Sequence, residues 1–180
     1  MIGVLVSGEG TNLQALLDDG LPIVAVASNR AEARALERAR RAGVPTAVFD
    51  LAGYDSREER DAAMAAWLEE RGVELVVCAG YLHLLRTPFL ERFGGRIVNT
   101  HSAPLPAFPG LRPIEDVLAA GVGETAATVH YVDEGVDTGP VIAAERVPVE
   151  PDDTVETLRA RVQAVEHRLL PETVRGLISA

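Results

Sequence analysis

The sequence contains no lysine, and all 17 of its basic residues are arginine. This absence excludes catalysis through a lysine Schiff base and a lysine anchor for pyridoxal phosphate, both of which need a lysine amine. It also excludes a Walker-type phosphate loop, whose lysine reaches the phosphates. A bound phosphate would therefore be held by backbone N–H groups, hydroxyls or arginine.

Cysteine and aromatic residues are also scarce. Cys78 is the only cysteine and lies in the apolar run 73–79, so no disulfide can form within the chain and we expect a buried, unreactive thiol. Aromatic residues make up 4% of the chain, which argues against a stacking platform for single-stranded nucleic acid. The net charge of −10 repels phosphate backbones, so we expect no nucleic-acid partner.

Long apolar runs are absent as well. None approaches the ~20 residues that span a bilayer, and the sequence begins with a strand-like run in place of a charged signal segment. We therefore expect a cytoplasmic protein without a membrane partner, either a monomer or a homodimer. The 180 residues, 47% of them hydrophobic, predict a single domain over 1–180.

Short apolar runs alternate with helical patterns through the first half of the chain. Continuous apolar runs suit strands that are buried on both faces of a parallel sheet. The predicted strands are Ile2–Ser7, Ile23–Ser28, Pro45–Phe49 and Val73–Ala79. The predicted helices are Thr11–Asp18, Ala31–Ala42 and Ser56–Arg71, the last with Ser56 and Glu59 as a capping box. This rhythm predicts an α/β fold with an open, doubly wound sheet and helices on both faces.

The second half changes character. A strand at Arg96–Asn99 leads into a proline-rich stretch, which is typical of a functional loop. The further predicted elements are a helix at Ile114–Ala120, strands at Ala126–Val132 and Pro140–Val149, and a helix at Asp152–Leu170 capped by Thr154. The last two strands flank a polar turn, which predicts an antiparallel edge to a mostly parallel sheet.

Ser7–Leu13 connects the first strand to the first helix, where open α/β sheets bind ligands. Its glycines allow a close backbone approach, and the helix start at Thr11 offers N–H groups to a phosphate. Leu13 stands where a dinucleotide-binding loop has its third glycine, which argues against NAD. A tight turn that merely caps the helix is the structural alternative.

Asn99-Thr100-His101 follows a predicted strand, and alternation along a strand would place positions 99 and 101 on the same side. An amide can donate to a developing oxyanion and an imidazole can exchange a proton near neutral pH, the two requirements of acyl transfer to an amine. A strand-end asparagine and a structural histidine are the alternative.

The turn Asp133–Pro140 carries three carboxylates. A carboxylate beside an imidazole would orient it and stabilise its charged form, although a solvated hairpin turn is equally consistent with the sequence. No His, Cys, Asp and Glu spacing in the chain suits a metal, and we expect none.

Together, Ser7–Leu13, Asn99–Gly110 and Asp133–Pro140 resemble the glycinamide ribonucleotide formyltransferase family of bacterial purine biosynthesis. The resemblance runs from about residue 1 to about residue 171. It implies the formyltransferase fold, with phosphate-substrate binding in the N-terminal half and folate binding with catalysis in the C-terminal half. It also implies transfer of the formyl group of 10-formyltetrahydrofolate to the amine of 5-phosphoribosyl-glycinamide, without a metal.

The resemblance assigns roles to individual residues. Asn99 would stabilise the oxyanion and touch both ligands, His101 would be the general acid, and Asp137 would hold His101 in its charged form. The implied phosphate-binding residues are Gly10, Thr11 and Asn12, and Glu166 would contact the ribose. The implied folate-binding residues are Arg57, Leu82, His83, Leu84, Leu85 and Asn99.

The sequence departs from the family in two places. The loop after His101 has a shifted proline within residues 102–106, and His83 occupies a position where the family often has arginine. His130 lies on a predicted strand two residues after Thr128, where it could line the site or serve the structure.

Four alternatives stay open. Methionyl-tRNA formyltransferase shares the fold and the folate chemistry, but the net charge and the phosphate-type loop oppose it, and we expect no tRNA-binding domain. A sugar-nucleotide formyltransferase and the hydrolase that deformylates 10-formyltetrahydrofolate are further relatives. The fourth is a non-catalytic nucleotide-binding module, which would need the loop at 7–12 but not Asn99, His101 or Asp137.

Overall fold

A computed structural model describes all residues from 1 to 180. The chain forms two compact units, Met1–Val98 and Asn99–Ala180. The assignment of all 180 residues to a single formyltransferase domain remains a prediction.

Seven strands form one sheet in the order β3-β2-β1-β4-β5-β6-β7. Their bounds are β1 Ile2–Val6, β2 Ile23–Ser28, β3 Thr46–Val48, β4 Leu75–Cys78, β5 Ile97–His101, β6 Glu124–Tyr131 and β7 Val141–Pro148. β1 pairs in parallel with β2 and β4, β2 pairs in parallel with β3, and β6 and β7 are antiparallel. The predicted mostly parallel sheet with an antiparallel edge is confirmed.

The core of the first unit is built on its apolar strands. All five residues of β1 are buried, as expected for a strand covered on both faces. Cys78 is also buried, and this burial raises the pKa of its thiol to about 12. Cys78 is therefore the inert strand residue that the sequence predicts.

The first unit contains four helices and a short 3₁₀ turn. Their bounds are α1 Thr11–Asp18, α2 Arg34–Arg41, the 3₁₀ turn Leu51–Gly53, α3 Arg57–Glu69 and α4 Thr87–Phe93. The prediction placed no helix at α4, because seven residues carry too short a pattern to stand out. Phe89 and Phe93, four residues apart and fully buried, anchor this helix by tertiary packing.

The N-terminus of α3 corrects the predicted capping box. Ser56 caps the helix as predicted, since its Oγ accepts the Glu59 N–H at 3.1 Å. The Glu59 carboxylate, however, accepts from the N–H of Asp55 at 3.1 Å rather than from that of Ser56. The reciprocal bond is therefore made one residue further from the helix.

The second unit contains α5 Pro113–Ala120 and α6 Val155–Ser179. Thr154 caps α6 as predicted, with Thr157 returning the bond to its N–H. The helix continues past the predicted end at Leu170 and runs through Pro171. Leu170 and Val174 on either side of this proline are fully buried, so packing outweighs the lost backbone hydrogen bond. No helix of the chain is both long and apolar enough to cross a bilayer.

Candidate active site

Strand β5 carries Asn99 and His101 into a polar cluster of the second unit. The Asn99 amide nitrogen lies 3.3 Å from Nε2 of His130. His101 Nδ1 lies 3.6 Å from Oδ2 of Asp137, and His130 Nε2 lies 3.6 Å from the other carboxylate oxygen. An amide, two imidazoles and one carboxylate are thus brought together, three of them from the predicted catalytic set.

His130 is the member of this cluster that sequence reasoning left undecided. It is buried on β6, where the pairing with β7 shifts register between Val129 and His130. Its Nδ1–H donates to the Tyr131 carbonyl at 2.8 Å, so its Nε2 is the acceptor for the Asn99 amide. Strand alternation from Thr128 was the only sequence signal for this placement.

His101 is buried and has a partner at each ring nitrogen. Its Nε2–H donates to the Phe108 carbonyl at 2.7 Å, while Nδ1 faces the Asp137 carboxylate. Both partners are acceptors, so either ring nitrogen of His101 faces an oxygen when it carries a hydrogen. The Nδ1 contact of 3.6 Å is too long for a hydrogen bond and acts through the charge of the carboxylate.

Asp137 is held in the ionised form. Burial opposes its charge, but the adjacent His130 ring, the hydrogen bond from the Gly110 N–H and the charge interaction with His101 outweigh burial and lower the pKa of the carboxyl. The Gly110 bond is 2.8 Å long. Asp137 also has a left-handed backbone with φ of 52°, a conformation that aspartate tolerates better than most residues.

The turn that carries Asp137 is ordered by its own side chains. Oδ1 of Asp133 accepts the Gly135 N–H at 2.9 Å and the Thr138 hydroxyl at 2.6 Å. These bonds, the Thr138 hydroxyl first, lower the pKa of the Asp133 carboxyl. The turn is therefore a defined scaffold in which Asp133 shapes the backbone and Asp137 faces the histidines.

Two polar side chains hold the altered loop after His101. The Ser102 hydroxyl donates to Oε1 of Glu166 at 2.5 Å, and the Thr128 hydroxyl donates to the Ala103 carbonyl at 2.6 Å. Glu166, the predicted ribose contact, is itself buried on α6. The loop is thus tied to α6 and to β6 within the second unit.

The predicted phosphate loop lies in the first unit between β1 and α1. Gly10 has φ of 75°, and an added Cβ would lie 2.5 Å from Cβ of Ala35, so only glycine fits there. The carbonyls of Gly8 and Glu9 accept from the Ala35 N–H at 3.0 Å and from Arg38 Nε at 2.7 Å.

These bonds turn two carbonyls of the loop towards α2. Helix α1 starts at Thr11 with no side-chain cap at Gly10 and no acidic residue in its first turn. Its N-terminus carries the partial positive charge that favours an anion. The arrangement suits the predicted phosphate-binding residues Gly10, Thr11 and Asn12.

The predicted folate-binding residues divide by exposure. Arg57 is exposed, and Leu82 and Leu84 expose 53% and 41% of their surface. His83 is half-buried, and Leu85 is buried in the core, so the Leu85 side chain would not face a ligand. Leu85 can contribute to a site here only through its backbone.

A second polar cluster surrounds His83. Arg60 Nη1 donates to His83 Nδ1 at 2.9 Å, and Arg60 Nε donates to Oδ1 of Asp61 at 2.7 Å. Both Arg60 and Asp61 are fully buried. Sequence reasoning missed them because charged residues on an amphipathic helix usually mark its solvent face. The chain contains no group of three or more His, Cys, Asp or Glu residues placed to hold a metal ion.

The family model for formyl transferases matches residues 1–174. The chain belongs to the formyl transferase family. The phosphoribosylglycinamide formyltransferase of Mycobacterium tuberculosis is 46% identical over 179 residues, covering 97% of this chain and 83% of that relative. The crystal structure of phosphoribosylglycinamide formyltransferase from Streptococcus pneumoniae superimposes with a TM-score of 0.95 at 43% identity, covering 98% of each chain.

Longer proteins are also similar to this chain. The trifunctional purine biosynthetic protein adenosine-3 of Gallus gallus is 45% identical over 184 residues, which cover 99% of this chain. The chain spans only 18% of the length of that relative.

Proposed function

We propose that this formyl transferase uses 10-formyltetrahydrofolate to formylate the amine of 5-phosphoribosyl-glycinamide in purine biosynthesis. The observation that carries the proposal is the cluster of Asn99, His101 and Asp137, which combines an amide donor with an imidazole that faces a carboxylate. The names of the similar proteins from Mycobacterium tuberculosis and Streptococcus pneumoniae support the choice of amine.

In the proposed reaction, the neutral amine attacks the formyl carbon and a tetrahedral intermediate forms. The formyl oxygen gains negative charge at this step, and preorganised donors stabilise it. One hydrogen of the Asn99 amide is taken by His130 Nε2. The other remains for the oxyanion, so His130 orients the donor.

His101 supplies the proton of the second step. The bond between the formyl carbon and N10 of the folate breaks, N10 gains a proton, and the attacking nitrogen loses one. The Asp137 carboxylate stabilises the imidazolium that donates at His101 Nε2. The substrate takes the place of the Phe108 carbonyl, which is the acceptor at Nε2 in the free enzyme.

The remaining predicted residues bind the two substrates. Gly10, Thr11 and Asn12 bind the phosphate at the start of α1, and Glu166 binds the ribose. The folate is bound by Arg57, by the exposed Leu82 and Leu84, by the backbone of the segment that includes His83 and Leu85, and by Asn99. The partners are thus small molecules, in a cytoplasmic monomer or homodimer.

A spectroscopic assay of folate deformylation tests the proposal, with and without phosphoribosyl-glycinamide. Turnover that requires this amine is the expected result. Turnover without any amine would identify the hydrolase instead, and turnover only with a sugar nucleotide or methionyl-tRNA would identify one of the other formyltransferases. Binding of a phosphate ligand without any turnover would leave the non-catalytic module.

A further inference from the structure

A buried ion pair lies at the start of α3. Arg60 and Asp61 have no exposed surface, and their Nε and Oδ1 atoms are 2.7 Å apart. Removing two charges from water costs several kcal/mol per ion, and their attraction repays this only with good geometry and further hydrogen bonds. Burial of the pair therefore need not stabilise the fold. The other hydrogen bonds of Arg60 and Asp61 indicate what the pair does.

Those other bonds reach one short segment, residues 82–86. Arg60 Nη1 donates to His83 Nδ1 at 2.9 Å, and the N–H of Arg86 donates to Oδ2 of Asp61 at 2.7 Å. A third bond joins the Leu82 N–H to Oγ of Ser7 at 3.0 Å. Because residues 82–86 belong to no helix or strand, these side chains determine the conformation of the segment.

The hydrogen bonds are made on the side of residues 82–86 that faces the protein interior, and the opposite side is exposed to solvent. His83 and Leu85 point inwards, while Leu82 and Leu84 expose 53% and 41% of their surface. This alternation is that of an extended chain. Fixing His83 therefore fixes the direction of the two exposed leucines next to it.

We propose that Arg60 is a positioning residue for folate, which acts through His83 to hold residues 82–86 in the conformation that receives the pterin ring. The inference rests on the proposed function, in which this segment binds folate. Arg60 itself does not touch the ligand, because its side chain is fully buried.

A guanidinium can only donate, so His83 Nδ1 must accept and the ring proton must reside on Nε2. His130 has the opposite tautomer, since its Nδ1–H donates to a carbonyl. The Asn29 amide nitrogen lies 3.4 Å from His83 Nε2 and 3.5 Å from Nδ1, too long to compete with the 2.9 Å bond from Arg60, while Asn29 Oδ1 accepts the Ser7 hydroxyl at 2.6 Å. The two histidines thus provide a matched comparison within one molecule.

Nitrogen-15 NMR of the imidazole rings tests the bond without using activity. At neutral pH we expect His83 as the Nε2–H tautomer and His130 as the Nδ1–H tautomer. In the Arg60→Met variant, the Nδ1 resonance of His83 should shift while that of His130 stays. A protonated Nδ1 on His83 in the wild type would overturn the inference.

Calorimetric binding of tetrahydrofolate tests the positioning role with two variants. His83→Leu removes the acceptor and leaves a donor of Arg60 unpaired, so tetrahydrofolate should bind about tenfold more weakly. His83→Asn restores an acceptor oxygen near the position of Nδ1, and its affinity should stay within about threefold of wild type. Affinity for phosphoribosyl-glycinamide should not change in either variant, which controls for misfolding.

Two other outcomes of the binding measurements with His83→Leu and His83→Asn are possible. If tetrahydrofolate binding weakened equally in both variants, the His83 ring would contact folate directly. If it weakened in neither, the conformation of residues 82–86 would not depend on the bond between Arg60 and His83. Both results overturn the inference. Wild-type protein that binds tetrahydrofolate but transfers no formyl group would instead refute the proposed function, while the two variants would still decide the role of Arg60.

Discussion

Each compact unit places a histidine beside an asparagine and an aspartate, but the histidines have different nearest charged partners. In the second unit, His101 and His130 both face the carboxylate of Asp137 at 3.6 Å. In the first unit, the guanidinium of Arg60 stands between His83 and the aspartate and contacts His83 at 2.9 Å.

This difference decides what each ring can do. A neighbouring carboxylate favours the charged form of an imidazole, as the proposed proton transfer by His101 requires. Around His83, burial first, then the charges of Arg60 and Arg57, lower the pKa of the ring. A ring that stays neutral is a steady hydrogen-bond acceptor, which suits support of a loop rather than proton transfer.

The largest effect on activity should come from His101→Ala. We expect kcat for formyl transfer to fall about 10³-fold, because the proposed general acid is lost, while affinity for phosphoribosyl-glycinamide changes little. Steady-state kinetics measure this, with His167→Ala on α6 as the control for removal of a histidine. A fall in kcat of similar size in His83→Leu would contradict the proposed difference between His101, which transfers a proton, and His83, which supports a loop.

The next largest effect is on stability, in Arg60→Met. This change leaves the buried Asp61 carboxylate without its counter-ion and should lower the free energy of unfolding by about 3–5 kcal/mol. Urea unfolding measures the loss. The double variant Arg60→Met/Asp61→Asn removes both charges and keeps an acceptor for the Arg86 N–H, so it should recover most of it. A double variant as unstable as the single one would contradict this account.

Asp137→Asn sharpens the comparison from the side of the carboxylate. The amide oxygen can still accept from the Gly110 N–H, but the variant lacks the carboxylate charge that supports His101 in the proposed mechanism. We expect kcat to fall about 10²-fold with a smaller change in substrate affinity, as measured by steady-state kinetics. Wild-type turnover in this variant would show that the carboxylate does not support the acid.

The smallest effects should appear in the pH dependence of stability. The pKa of His83 lies below 6.5 in the folded protein, so the folded state binds fewer protons there than the unfolded state. Stability therefore falls as the pH falls below about 6.5, and the loss ends below the folded-state pKa. For Asp137, lowered from 3.8, the same loss begins only below about pH 3.8.

Urea unfolding of the wild type between about pH 2 and pH 8 separates the two ranges. In His83→Asn, the loss of stability that begins below about pH 6.5 should become smaller. In Asp137→Asn, the loss that begins below about pH 3.8 should become smaller. If His83→Asn had the same dependence of stability on pH as the wild type, burial and the nearby arginines would not lower the pKa of His83.

Much of the fold could be predicted from local sequence patterns. Apolar runs and helical patterns located all seven strands and five of the six helices, because periodicity and turn residues act over a few positions. The exceptions required distant partners. Helix α4 depends on the burial of Phe89 and Phe93, and the extension of α6 through Pro171 depends on packing of apolar residues around it.

The candidate site divides in the same way. Spacing of two residues on a strand put Asn99 and His101 on one face, and the resemblance supplied Asp137 as a prediction. His130 joins them from β6, at the point where the pairing with β7 shifts register, and Arg60 faces His83 across 23 positions of sequence. The sequence determined which residues could do chemistry, since side-chain type and strand period are local properties. Tertiary structure alone decided whether each histidine faces a carboxylate or a guanidinium, because that depends on which distant side chain packs beside it.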